Sequence, residues 1–231
     1  PAFEQVSKGA ERQDGLLPLW RRQDKVWLEL SPSALGKPLF LSPKLSRGIG
    51  EAGVFGGLMH SRSAQVGRPQ WVEFRKVQQQ VQLLAINAAY TAREGSPQAL
   101  AVAAGYSPSL LASAPIASAP HPQSGAVLIE LNALMLGDVL GLAQHLQRQY
   151  RQSYALDPRH TVLLQARTEA QAAVFEVSQH FATSGISAGS TTPGMPGSSV
   201  PATVPDPRSL FVNVHYTLSP LPAQPMPRRP A

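Results

Sequence analysis

Residues 211–218 read FVNVHYTL, and their alternation decides the fold class. Val212, Val214, Tyr216 and Leu218 fall on one side of an extended chain; Phe211, Asn213, His215 and Thr217 fall on the other. A period of two sets one row against a core and the other toward solvent. The same pattern recurs in Val26-Leu28-Leu30, Val72-Phe74, Val81-Leu83-Ala85, Val127-Ile129-Leu131, Val162-Leu164 and Phe175-Val177-Phe181. Short polar turns separate neighbouring runs at Gln23-Asp24, Gln78-Gln79-Gln80 and Glu169-Ala170-Gln171. This spacing predicts antiparallel hairpins, since a parallel pair needs a crossover of about a dozen residues or more. Leu-Ser-Pro closes apolar runs at 30–32, 41–43 and 218–220, and proline, lacking the ladder N–H, is expected to stop a strand.

Helical spacing is clear in one place. From Asp138, an N-cap type residue, Val139, Leu142, Ala143, Leu146 and Tyr150 share a face, which predicts an amphipathic helix over about 138–150. Ser96 before Pro97 starts a second, weaker helix over about 97–104. The fold class expected is therefore α+β, mainly antiparallel hairpins, in a single β-rich domain spanning 1–231. Two stretches resist structure: a Gly-rich loop at 46–69 and a Gly/Ser/Thr/Pro-rich loop at 183–208, which lacks the apolar residues to offset its ordering entropy. Strands flank the second loop, so it reads as a long hairpin connection.

Composition narrows the function. With 43% hydrophobic residues the chain can build a sizeable core, and only 15% of residues are charged. The net charge of +6 is spread over short clusters at Arg21-Arg22-Lys25, Arg148-Arg151 and Arg228-Arg229, which does not make a nucleic-acid footprint. No stretch approaches the roughly 18 apolar residues of a membrane helix. There is no cysteine, which excludes disulfides, thiolate metal sites and a cysteine nucleophile. The chain opens at Pro1, so a removed signal peptide is expected upstream.

Three motifs suggest chemistry and fail on mechanics. GIGEAG at 48–53 spells G-x-G-x-x-G, but a dinucleotide turn must open a helix, and Gly56-Gly57 follow closely. Gly185-Ile186-Ser187-Ala188-Gly189 spells G-x-S-x-G, with Asp206 and His215 after it, yet no helix can start in GSTTPGMPGSS. The histidines at 60, 121, 145, 160, 180 and 215 include no pair one helical turn apart, so no zinc helix is expected and no metal ligand is assigned. The catalytic inventory expected of this chain is empty.

Several ordered motifs resemble the N-terminal region of large bacterial zinc-dependent metalloproteases of the metzincin-like type. They are KVWLEL at 25–30, KPLFLSPKLSRGIG at 37–50, WVEFRKVQQQVQLLAIN at 71–87, VLIELNALMLGD at 127–138, DPRHT at 157–161 and PDPRSLFVNVHYTLSPLP at 205–222, with PRRPA at the end. The resemblance implies a non-catalytic domain ahead of a peptidase domain that carries the H-E-x-x-H helix and the zinc, with no cofactor in this segment. It implies an exported protein, periplasmic or secreted, whose partner is the downstream peptidase domain. The 46–69 loop is then expected to reach that partner through Arg47, Gly48, Gly50, Gly53, His60 and Arg62. Two other readings stand beside it: a free-standing exported module that binds protein or cell-wall glycan, and a serine hydrolase acting through Ser187.

Overall fold

The computed structural model describes residues 1–57, 66–93, 95–187 and 197–223. In chain order it runs α1 (Phe3–Ser7), β1 (Glu11–Gln13), β2 (Leu19–Arg22), β3 (Lys25–Leu30), β4 (Leu39–Arg47), β5 (Gln70–Val77), β6 (Gln80–Ala85), α2 (Pro97–Gly105), β7 (Ser109–Pro115), β8 (Val127–Glu130), α3 (Leu131–Met135), α4 (Leu142–Tyr150), β9 (Ala155–Leu156), β10 (Val162–Glu169), β11 (Ala172–Ala182) and β12 (Ser209–Pro220). The strands form a four-stranded sheet, β1-β2-β3-β8, and a larger one, β10-β11-β12-β4-β5-β6-β7, with β9 paired to β11. Every pairing between these strands is antiparallel. The fold is α+β and mainly antiparallel, with the three short polar turns forming the β2–β3, β5–β6 and β10–β11 hairpins.

One hydrophobic cluster draws on both sheets. Leu19, Leu28 and Leu30 of the small sheet meet Leu41, Phe74, Leu83, Phe175, Val214 and Tyr216 of the large one, with Leu142 and Leu146 of α4. The alternation in FVNVHYTL is realised as expected: Val212, Val214, Tyr216 and Leu218 are buried, while Phe211 is exposed. β11 and β12 pair without a gap from Ala173↔Leu218 to Ala182↔Ser209. The 183–208 stretch is thus a long hairpin connection, and its described ends are fastened: Gln152 donates to Ser187 O and Ser199 O, and Ser199 N–H donates to Tyr150 O.

Four sequence expectations are corrected. Val162 and Leu164 do not face the core; both are exposed, while Ala166 and Thr168 are buried. A bulge between Leu163 and Gln165 inserts an unpaired residue and inverts the inward parity from there on. Pro43 does not stop a strand, since β4 continues to Arg47. β5 pairs with β4 only through Leu39–Leu41, so Pro43 lies past the end of that ladder, where its missing N–H removes no β4–β5 bond. The main helix begins at Leu142, not Asp138: Gly141 takes a left-handed conformation, and Asp138 reaches forward to accept from Leu142 N–H and Ala143 N–H at 2.8 Å each. Leu131 leaves the strand and opens α3.

Candidate functional site

The strand that edges the large sheet is interrupted. β9 pairs with β11 at Phe181 and Ala182, and β10 resumes the pairing at Ser178. Between them residues 157–161, DPRHT, loop out beside Gln179 and His180. The loop is a tight asparagine-type turn: Asp157 Oδ1 accepts from Arg159 N–H at 3.1 Å, and Thr161 Oγ1 donates to Asp157 O at 2.9 Å. It is stitched to β11 by Asp157 N–H donating to His180 O at 2.8 Å and by His180 N–H donating to Thr161 Oγ1 at 3.1 Å.

These contacts bring three chemically useful side chains together. Asp157 Oδ2 lies 2.6 Å from His160 Nδ1 and 3.2 Å from His180 Nδ1. His180 Nε2 lies 2.8 Å from Ser209 Oγ at the start of β12. Phe211 lies against the His180 ring with centroids 4.6 Å apart, and the two imidazoles meet edge to face. His180 is buried and the Asp157 side chain is only 13% exposed, whereas that of His160 is 60% exposed. The His160 hydrogen bond, joined by those from Arg159 and His180, holds the Asp157 carboxyl well below the ordinary carboxylate range. The cluster is a two-imidazole, one-carboxylate set on the surface. A cavity of about 370 Å³ runs along β10 from Thr161 to Ala166 with Arg21 and Asp24 on its wall, but none of the three lines it.

In the sequence His160 and His180 stand 20 residues apart, with no helical spacing to join them. The D-x-x-H spacing of Asp157 and His160 just ahead of a strand was the available signal, with His180 on the outward row of the next strand.

The GIGEAG residues fold back on their own chain. β4 leads straight into Gly48, but residues 48–57 turn without opening a helix, so the pyrophosphate cradle is missing. Ile49 N–H and Gly50 N–H both donate to Val54 O, and Ile49 and Val54 are buried in the main core. His145 Nε2–H donates to Ala52 O at 2.8 Å, Ala202 N–H donates to Glu51, and Thr203 Oγ1 donates to Ile49 O. Gly50 and Gly53 take positive φ at the turn, and Arg47 is exposed at the end of β4. The described part of the loop makes these contacts within the chain while Arg47, Gly50 and Gly53 stay exposed; His60 and Arg62 lie outside the described residues. Around Ser187, the residues of the hydrolase reading are drawn apart. Asp206 is gripped by Arg208 at 2.7 Å, and His215 lies opposite Glu176 and Lys44 in the sheet. Burial pushes the His215 imidazole down.

The profile of one protein family, described as a domain of unknown function (DUF5117), matches residues 64–231. The chain belongs to the DUF5117 family. No curated protein and no solved structure matches it.

The DUF5117 match takes in β5–β12 and with them the whole Asp157–His160–His180 cluster. It also takes in the most exposed large hydrophobic side chains among the described residues. α2, PQALAVAAG, begins as expected with Ser96 Oγ accepting from Ala99 N–H, yet it buries none of its residues. Leu100 is 75% exposed and Leu110, on β7 at the end of the large sheet, 58%. Tyr106 at the end of α2 stacks on Tyr90 with centroids 4.2 Å apart. Among the described residues no helix is long and apolar enough to cross a membrane.

Proposed function

We propose that this DUF5117 chain is a non-catalytic N-terminal domain of an exported bacterial zinc-dependent metallopeptidase, which packs on the downstream peptidase domain and shapes or covers its cleft. The observation that carries the reading is the uncovered face of α2 and β7. An uncharged apolar helix with no fully buried residue lies next in sequence to β7, the last strand of the large sheet among the described residues. Monomeric proteins rarely leave large apolar surface bare unless something binds there, and Leu100, Tyr106 and Leu110 are all exposed. β7 ends the large sheet among the described residues, and an edge strand offers directional hydrogen bonding to a partner. The order of the sequence motifs supplies the neighbour: a peptidase domain on the same polypeptide, holding the zinc that this reading requires.

The exposed Tyr90–Tyr106 stack favours a second reading, a free-standing exported module binding protein or cell-wall glycan on that face. Two measurements separate them. The coding frame past residue 231 is expected to continue into an H-E-x-x-H helix; an early stop would overturn the accessory reading and leave the binding module. In the full-length protein, Leu100→Glu with Leu110→Glu is expected to open the junction between the domains to limited proteolysis at least tenfold faster, with the far-ultraviolet circular dichroism unchanged. Unaltered proteolysis would remove α2 and β7 from the interface.

A further inference from the structure

We propose that Asp157, His160 and His180 form a binding site for a divalent transition-metal ion of the zinc class, on this chain itself and independent of any peptidase site. Two imidazole nitrogens and one carboxylate oxygen are the ligand set that borderline ions such as zinc prefer, and one that magnesium and calcium, which seek oxygen, do not. The ligand atoms all lie within 4.8 Å of one another. Zinc–ligand bonds of about 2.0–2.1 Å in a tetrahedron require ligand atoms about 3.3 Å apart. Asp157 Oδ2 and His180 Nδ1, at 3.2 Å, already stand at that separation. Asp157 Oδ2 and His160 Nδ1, at 2.6 Å, must open by less than about 1 Å, and His160 is the exposed member, free to swing.

Proton bookkeeping permits the exchange. Without metal, each imidazole donates Nδ1–H to the shared carboxylate oxygen, and Ser209 Oγ donates to His180 Nε2. With metal, the His180 proton moves to Nε2, where the Ser209 hydroxyl rotates to accept it, and Nδ1 presents its lone pair to the ion. The His160 proton moves in the same way to its own Nε2, so both Nδ1 lone pairs are freed and no net proton leaves either ring. A hydrogen bond on the far nitrogen is the usual outer support of a metal-bound histidine, so Ser209 is a positioning residue. Arg159 N–H supports the carboxylate in the same way by holding Oδ1 and leaving Oδ2 turned toward the imidazoles. The Arg159 guanidinium opposes a cation, but it also sits on Oδ1, and its side chain is 83% exposed and screened.

Three protein ligands leave the fourth position open on the His160 side, for water or for a group from a partner. The cluster does not line the neighbouring cavity, which favours a clamp over a reaction centre. Bound metal would tie the DPRHT loop to β11 across the break in the edge strand.

The test uses the 231-residue chain stripped of metal with a chelator, and zinc chloride as probe. Calorimetry is expected to give one zinc per chain, and zinc to raise the thermal midpoint while magnesium does not. His160→Gln, at an exposed position, is expected to lower the metal-free midpoint only by the loss of its hydrogen bond to Asp157 and to weaken zinc at least tenfold; Asp157→Asn and Ser209→Ala are expected to weaken it also. Cobalt on the unsubstituted chain is expected to show the intense visible bands of a four- or five-coordinate nitrogen–oxygen site. The proposal is overturned if zinc does not bind stoichiometrically, if magnesium matches it, if cobalt shows only its aqueous spectrum, or if His160→Gln binds as the native chain does. The cluster would then be a hydrogen-bonded tether and no more.

Discussion

Gly48 decides the shape of the turn it opens. A Cβ there would stand 2.2 Å from Val54 O and 2.9 Å from the Phe55 carbonyl carbon, both backbone atoms that cannot swing aside. Val54 O accepts the two N–H groups that close the turn, so the clash falls on its hydrogen-bonded centre. Gly53 needs glycine for a different reason, a φ of +74° with open space around it. Gly48→Ala is therefore expected to cost about 2–3 kcal/mol, the scale of an overpacked core, because Ile49 and Val54 must shift together. Gly53→Ala should cost about 1 kcal/mol of backbone strain. Urea unfolding of the two variants measures both, and equal small losses would mean that the turn relaxes freely.

At the scale of elements, Asp138 shows how a helix start can be right in chemistry and displaced in sequence. Its two carboxylate oxygens take up two of the four N–H groups that a helix leaves unpaired, from a position four residues ahead of Leu142. Burial raises the Asp138 carboxyl above its ordinary value, and the backbone hydrogen bonds oppose that rise. Asp138→Ala is expected to lower stability by about 1–2 kcal/mol, and Asp138→Asn, which keeps one acceptor, by about half as much. Thermal unfolding checks the ranking. The capping aspartate and the apolar face were legible because both follow from side-chain type; the left-handed Gly141 that delays the helix is a backbone choice. The bulge at Leu163–Gln165 is another, and it turned Val162 and Leu164 outward although their alternation is as regular as that of Val212 and Val214. The candidate site was hidden for a third reason. Asp157 and His180 are 23 residues apart, and they meet only because β9 and β10 both pair with β11, leaving the DPRHT loop beside it.

Across the whole molecule the two candidate surfaces sit at opposite ends of the large sheet, the ligand cluster beside β10 and the bare apolar face beside β7. One sheet edge is thus broken by a loop and a bulge, and the other ends at β7 with no further strand among the described residues. The stability of this assembly should depend on acid in a direction that its carboxylates fix. Hydrogen bonds from the Arg208 side chain and backbone hold Asp206 down to about 2, with Tyr154 also facing it, and Asp157 is held lower still by His160. Each ionises at lower pH in the folded chain than in the unfolded one, where the ordinary value is 3.8. Their contribution is complete above that value and is lost as pH falls through the folded one, because the unfolded chain then binds more protons. Asp138, raised by burial, works in the opposite sense and gains stability on acidification, so two depressed carboxyls stand against one raised. The urea midpoint is expected to fall between about pH 5 and about pH 2. In Arg208→Gln the folded Asp206 returns toward its ordinary value, and the fall should be shallower. A slope unchanged by that substitution would mean that Asp206 titrates alike in both states, and the Asp206–Arg208 pair would then have no part in the acid response.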